Sequence, residues 1–154
     1  MHPNEQLIEQ FYQGFQKQDA SKMIACYADN IEFSDPVFPN LKGKEAKAMW
    51  QMLCERAKNF ELTYSHIQAN ETSGKAHWEA KYLYGKKQVH NIIEAEFRFH
   101  QGKIVWHQDS FDLWRWSRMA LGPMGTLLGW TSLLKNKIRR MAGHGLQQYI
   151  AKKG

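Results

Sequence analysis

Apolar side chains recur at three- and four-residue spacings over residues 4–17, where Leu7, Ile8, Phe11, Tyr12 and Phe15 mark a helix with one buried face. Asp19 ends that helix and offers a cap. A second short helix is predicted from about Ser21 through Met23, Ile24 and Tyr27, stopping at the turn-favouring pair Asp29-Asn30. Ile31-Glu32-Phe33-Ser34-Asp35-Pro36 then alternates like a strand closed by proline. Gly43 introduces a third helix, Lys44 to about Lys58, with Ala48, Met49, Trp50, Met52 and Leu53 as its apolar face. Beyond it the period shortens to two. Glu61 to Asn70, Lys75 to Tyr84, Gln88 to His100 and Lys103 to Trp114 read as four strands, joined by short connections at residues 71–74, 85–87 and 101–102. Helices first and a meander afterwards predict an α+β fold, with helices packed on one side of a bent sheet.

After Trp116 the logic changes. Gly122-Pro123 breaks the chain, and Leu127, Trp130, Leu134, Ile138 and Met141 return to helical spacing, with Lys135, Arg139 and Arg140 largely off that face. Gly143-His144-Gly145 is expected to interrupt this basic helix before a last segment, Leu146 to Lys153. The chain of 154 residues is long enough to bury a proper core. It divides by pattern into a body, residues 1–116, and a basic amphipathic extension, residues 117–154.

Charge sharpens that division. The net charge is +6, yet eight of the 21 Lys and Arg residues follow Asp112, where there is no Asp or Glu. Residues 1–112 therefore carry 13 basic against 15 acidic groups, a balance of −2. Cys26 and Cys54 form neither a CxxC pair nor a disulfide framework and read as buried thiols in a reducing compartment. The N-terminus lacks the basic and apolar regions of a secretory signal, and no apolar run reaches a membrane span. The expectation is a soluble, cytoplasmic protein.

The most loaded alternation lies in the last strand. His107, Asp109 and Phe111 share one face, Trp106, Gln108, Ser110 and Asp112 the other. A His and an Asp on the inner face of a curved sheet are either a proton-transfer pair or a satisfied buried polar pair. Asp35 likewise is either a cap for the turn at Pro36 or a working carboxyl. Asp112 is expected to cap the next segment or to bind a tail Arg. His66, His77, His90 and His100 stand singly along strands, with no carboxylate at metal-ligand spacing, so neither a metal nor a cofactor is expected. Trp106, Trp114 and Trp116 are placed on the outer face, as a patch for a partner.

The order of helices and meander resembles the nuclear transport factor two-like superfamily, which includes ketosteroid isomerases, SnoaL-like polyketide cyclases and limonene-epoxide hydrolases. The residues carrying the likeness are Tyr27-Ala28-Asp29-Asn30 followed by Asp35-Pro36, Gly43 before the third helix, and the FRFHQGKI stretch at 97–104. It covers residues 4 to about 116. It implies a cone-shaped α+β fold of three N-terminal helices on a strongly bent mixed or antiparallel sheet, to which the C-terminal helical extension is added. By this resemblance Asp35 falls on the isomerases' general base. Their oxyanion Tyr falls on Phe11, with Tyr12 one position away, and their protonated oxyanion Asp falls on Ala95. Both donors are absent, which argues against steroid isomerisation. His107-Gln108-Asp109-Ser110-Phe111-Asp112 is similar to the WRDYFD stretch of the epoxide hydrolases, with Asp109 at the position of a catalytic acid. The neighbouring strand, His77-Trp78-Glu79-Ala80-Lys81-Tyr82, lacks their Arg-x-Asp, which argues against epoxide hydrolysis.

If the register follows the resemblance, Trp78, Ala80, Tyr82, Asn91, Ile93, Ala95, Phe97, His107, Asp109 and Phe111 face a cavity whose side Trp50 closes. Asp35, Asp109 and His107 are then the candidate catalytic groups. Phe11, Tyr12, Trp50, Trp78, Tyr82, Asn91, Ala95, Phe97 and Phe111 are the candidate ligand contacts. The expected ligand is a small apolar carbonyl or polycyclic compound, and the expected chemistry a cofactor-free acid–base isomerisation or cyclisation. The alternative is a non-catalytic module that binds a ligand or a protein, and a homodimer through the sheet accompanies either. For the basic tail, folding back over the sheet or cavity mouth is the simplest reading and contact with an anionic membrane surface a less favoured one. Nucleic acid is set aside, because the basic residues lack interleaved stacking aromatics.

Overall fold

The computed structural model describes residues 1–153, so Gly154, the end of the expected extension, lies outside the described residues. Three helices open the chain: α1 (Pro3–Gln16), α2 (Ala20–Ala25) and, after strands β1 (Tyr27–Ser34) and β2 (Leu41–Lys42), α3 (Lys44–Arg56). His2 caps α1, its Nδ1 accepting from the Asn4 N–H at 3.0 Å while Glu5 accepts from the His2 N–H at 2.8 Å. Asp19 caps α2 by accepting from the Lys22 N–H. Gly43, whose φ of 53° suits a residue without a Cβ, turns β2 into α3 and donates its N–H to the Ile31 oxygen.

The meander comes next as β3 (Lys58–Ala69), β4 (Ser73–Tyr84), β5 (Lys87–His100) and β6 (Lys103–Ser110). The six strands form one mixed sheet in the order β2-β1-β6-β5-β4-β3, with β1 parallel to β6 and every other pairing antiparallel. In its register Phe33 and Phe97 flank His107, Ala95 lies opposite Asp109, and Asn91 opposite Ala80. Two register shifts in β3 and one at Val105 of β6 bend the sheet, with Asn59 and His66 in the left-handed region at the shifts in β3. Against the concave face the helices bury Ile8, Phe11, Tyr12, Met49 and Trp50, which meet Ile31, Phe33, Ile93, Phe97 and Ile104 of the sheet in one core. The cone of α+β type is therefore present.

Two expectations fail in the C-terminal quarter. The last strand stops at Ser110 rather than Trp114, and Asp112 caps a helix, α4 (Leu113–Leu121), by accepting from the Arg115 N–H at 3.1 Å. The residues that α4 buries, Leu113, Trp116, Ser117 and Ala120, sit at helical spacing, and the two-residue alternation ahead of them had masked it. Only Trp106 keeps the outer sheet face, under the Arg98 guanidinium at 5.2 Å; Trp116 is buried and Trp114 rides on α4. Second, α6 (Ser132–Lys153) runs unbroken through Gly143 and Gly145. Burial of Leu146 and Tyr149 against the main core outweighs the glycines' poor propensity.

Between these helices, α5 (Pro123–Leu128) lies hard against α4. A Cβ on Gly125 would sit 1.8 Å from the Ser117 carbonyl oxygen, so only glycine permits that approach. Val89, Leu113, Trp116, Ala120, Leu134 and Ile138 form a second core here, joined to the first through Val37, Tyr82 and Phe111. Replacing Gly125 by Ala should lower stability by about 1–3 kcal/mol. At Gly143 a Cβ meets no atom within 4 Å, and Gly143→Ala should raise stability by up to about 1 kcal/mol. Urea unfolding of both variants checks the pair; an unchanged midpoint for Gly125→Ala would refute the close contact.

Candidate functional site

The narrow end of the cone is filled by rings. His107 is fully buried there, its ring centroid 4.4 Å from that of Phe97, 5.0 Å from Phe33 and 5.5 Å from Phe11. A polar ring in such surroundings must be hydrogen-bonded on both nitrogens. The Trp50 Nε1–H donates to the Tyr27 oxygen at 2.8 Å, which leaves the Tyr27 hydroxyl proton for His107 Nδ1 at 2.7 Å. That assignment puts the imidazole proton on Nε2, where it meets Asp109 Oδ1 at 2.9 Å. The Trp78 Nε1–H reaches the same oxygen at 3.4 Å. Burial holds the Tyr27 phenol well above its usual pKa, against the Trp50 hydrogen bond that lowers it, so Tyr27 stays a donor.

Above this plug the cone opens into a cavity of about 630 Å³. Its walls carry Asp35, Trp50, Trp78, Ala80, Tyr82, Asn91, Ile93, Asp109 and Phe111 of the expected residues, with Phe15 beside them. Both hydrogen bonds to Asp109 fall on Oδ1, so Oδ2 is the oxygen left for a ligand. Asn91 is largely buried and lines the cavity. The Tyr82 oxygen accepts from the Trp116 Nε1–H at 2.9 Å, and burial pushes its phenol up to about 12.

Asp35 ends β1 and does two things at once. Its Oδ1 accepts from the Val37 and Phe38 N–H groups at 2.7 and 2.6 Å, which pins the turn, and the same carboxyl lines the cavity. Desolvation by burial pushes it from 3.8 to about 7, with the charge of Asp109 adding to the rise and the Phe38 and Val37 N–H groups opposing it. The cap and the working carboxyl, left as alternatives by the sequence, are compatible in one residue.

The structure does not bring every candidate to the cavity wall. Phe11, Tyr12, Ala95 and Phe97 are almost fully buried in the plug beneath, and His107 lies there too, behind Asp109. The alternation placed them on the correct face; their depth in the taper removes them from the cavity. The Tyr12 hydroxyl is buried with no hydrogen-bond partner, and desolvation, then Asp109, hold its pKa well above the ordinary range. Residues the sequence reading missed are Tyr27, which bridges Trp50 and His107, and Met124, Leu134, Lys137, Ile138 and Met141, with which α5 and α6 roof the cavity. Periodicity marked the buried face of α6, which docks over the cavity, one of the two places expected for a folded-back tail.

The strand histidines are not isolated either. On the outer face His77 lies between Glu79 at 2.8 Å and Glu94 at 2.5 Å, and His90 reaches the other Glu79 oxygen at 2.8 Å. Hydrogen bonds donated by the imidazolium to the Glu79 and Glu94 carboxylates raise the His77 pKa. Among the described residues no group of three or more such side chains is arranged to hold a metal ion.

Comparison with known proteins places these features in a family. Residues 8–107 match the SnoaL-like domain family. No curated protein matches the sequence. Among solved structures, an LEH-like epoxide hydrolase of M. tuberculosis is similar with a TM-score of 0.67 at 18% identity, covering 84% of this chain and 97% of that one. TerC, co-crystallised with polyporic acid, is similar with a TM-score of 0.68 at 13% identity, over 78% of this chain and 99% of that one. A ketosteroid-isomerase-like fold from Catenulispora acidiphila, in complex with trimethylamine, gives 0.67 at 11% identity, over 81% and 96%. At such identities these structures share the fold.

Asp35 and Tyr12 each have a consequence that unfolding experiments can read. A proton held by Asp35 in the folded chain, but released near 3.8 when unfolded, gives a contribution to stability that is complete below about 4 and lost as pH rises to about 7. The full loss is on the order of 4 kcal/mol. Asp35→Asn should flatten that slope in denaturant unfolding at stepped pH, and superimposable profiles would refute the raised pKa. Tyr12→Phe removes a buried hydroxyl without a partner, so stability should hold or rise by about 1 kcal/mol. A loss of similar size would mean that the hydroxyl is satisfied.

Proposed function

We propose that this chain, which belongs to the SnoaL-like domain family, binds a small apolar carbonyl or polycyclic compound in its cavity and moves a proton on it without a cofactor. One observation carries the reading: two carboxyls in unlike settings, Asp35 and Asp109, line the same largely apolar cavity. Pairs of titratable groups whose surroundings differ in this way are the usual basis for dividing acid and base roles. The cavity volume suits a ligand of several fused or linked rings.

Asp35, with a pKa of about 7, is present in both protonation states near neutrality and is the group assigned to accept a proton beside the carbonyl or return it. Its bonded Oδ1 fixes the orientation, so Oδ2 handles the proton. Asp109 Oδ2 is the second proton-handling atom. Having no route to the ligand, His107 is a positioning residue, holding Asp109 through Nε2 while Tyr27 and Trp50 hold His107. Asn91 and Tyr82 orient the ligand, and Trp50, Trp78 and Phe111 supply flat apolar walls. The sheet-mediated homodimer remains part of this proposal, with Trp106 and the His77–Glu79–His90 ladder on the face it would bury.

Phe11 and Ala95, standing where the isomerases keep oxyanion donors, favour a second reading: the cavity binds its ligand without turning it over. A panel of aromatic ketones, together with the polyporic acid bound by TerC, separates the two by tryptophan quenching and product analysis. Under the catalytic reading Asp35→Asn lowers kcat about a hundredfold or more and removes an inflection near pH 7, while ligand affinity stays within a few fold. Binding without turnover supports the second reading. Turnover that survives both Asp35→Asn and Asp109→Asn sinks the catalytic one.

A further inference from the structure

The roof of the cavity carries an exposed apolar ridge on its outer side. Met124, Leu127 and Leu128 on α5, Trp130 in the following turn and Leu133 at the start of α6 are 57%, 69%, 49%, 63% and 79% exposed. Neighbouring large apolar side chains left this open are rare on a protein that meets only water. The exposure does not come from a loose tail. Gly125 lies against the backbone of Ser117, a Cβ on Gly129 would come within 2.8 Å of the Ser117 Cβ, and the Trp114 Nε1–H donates to the Thr126 backbone oxygen at 3.2 Å, so the segment is packed down by its other face. The Trp130 Nε1–H donates to the Leu127 oxygen at 3.0 Å, which satisfies its polar edge and leaves its ring apolar.

Charge selects the occupant. No Asp or Glu follows Asp112, while Lys135, Lys137 and Arg140 follow the ridge on α6 and none of them pairs with a carboxylate among the described residues. Arg118 lies over the Trp114 ring on the neighbouring helix. Apolar and aromatic side chains beside unpaired cations match the boundary of an anionic bilayer, apolar below and negative above. A second copy of the chain fits less well, because a two-fold contact through the ridge would bring like charges together.

We propose that this ridge docks the protein on an anionic phospholipid surface. Leu127, Trp130 and Leu133 enter the acyl boundary, while Lys137 and Arg140, four and seven residues beyond Leu133 on the same side of α6, meet the lipid phosphates. Among the described residues no helix is long and apolar enough to cross a membrane, so the contact lies in the interface plane. Met124 belongs both to the ridge and to the cavity lining, and Lys137 and Met141 line the cavity beside it. Docking therefore brings the α5–α6 wall of the cavity to the lipid, where apolar compounds concentrate. That consequence rests on the ligand proposed above; the docking itself does not.

Co-sedimentation of the full chain with phosphatidylcholine vesicles, with and without phosphatidylglycerol, tests the proposal in the absence of any cavity ligand. Binding is expected with the anionic vesicles and should fall as salt rises. The combined variant Leu127→Gln, Trp130→Gln, Leu133→Gln should remove it with circular dichroism and melting unchanged. Arg140→Gln should weaken it about fivefold. Wild type that stays in the supernatant with anionic vesicles overturns the proposal, as does a combined variant that sediments like wild type. A dimer in gel filtration that the combined variant dissolves, without vesicle binding by wild type, also overturns it and assigns the ridge to self-association.

Discussion

Four polar side chains cross the aromatic interior in one line, Trp50 to Tyr27 to His107 to Asp109, and the architecture of the cavity depends on their satisfying one another. An imidazole among Phe11, Phe33 and Phe97 has no water to fall back on, so each member of the line is held by the next. The line also ties together α3, β1 and β6, and through Trp78 it reaches β4. A slip of β6 by one residue would turn His107 outward and bring Trp106 and Gln108 inside, stranding Tyr27 and Trp50. The orientation of Asp109 at the cavity floor is thus fixed by interactions that lie wholly beneath it.

Much of this was legible along the chain. Two-residue alternation placed His107 and Asp109 on one face, and the helical spacings of α1 and α3 chose Phe11, Tyr12 and Trp50 as buried. Asp35 came from resemblance, not periodicity. Depth was not legible: a strand pattern gives the face a side chain points to and says nothing of how far down a tapering sheet it sits. Ala95 and Phe97 therefore read as cavity residues and proved to be floor. Cross-strand neighbours were hidden for a related reason, since the meeting of His77, Glu79 and His90 depends on the β4–β5 register. In the tail, capping chemistry at Asp112 outweighed strand-like alternation, and tertiary burial of Leu146 outweighed two glycines.

The two cavity carboxyls show how one fold can treat like groups differently. Asp35 is pinned by backbone donors of its own turn, a local device any strand end could supply. Asp109 is pinned by side chains from distant segments. One setting comes from neighbouring residues in sequence and the other from the assembled sheet, and α6 touches only the first, where the Arg139 Nε–H donates to the Pro36 oxygen at 2.8 Å in the Asp35 turn.

The parallel pairing of β1 with β6 has a consequence in time. Hairpins from β3 through β6 form from neighbours in sequence, but Phe33 can meet His107 only after the whole meander and α3 lie between them. Closing so long a loop is entropically slow. Until it closes, Tyr27 has no imidazole, Asp109 has no fixed rotamer, and the rings of the floor face solvent. The cavity floor therefore depends on a contact of long sequence separation, and any chain in which β1 has not yet met β6 exposes the aromatic surface that the finished protein hides.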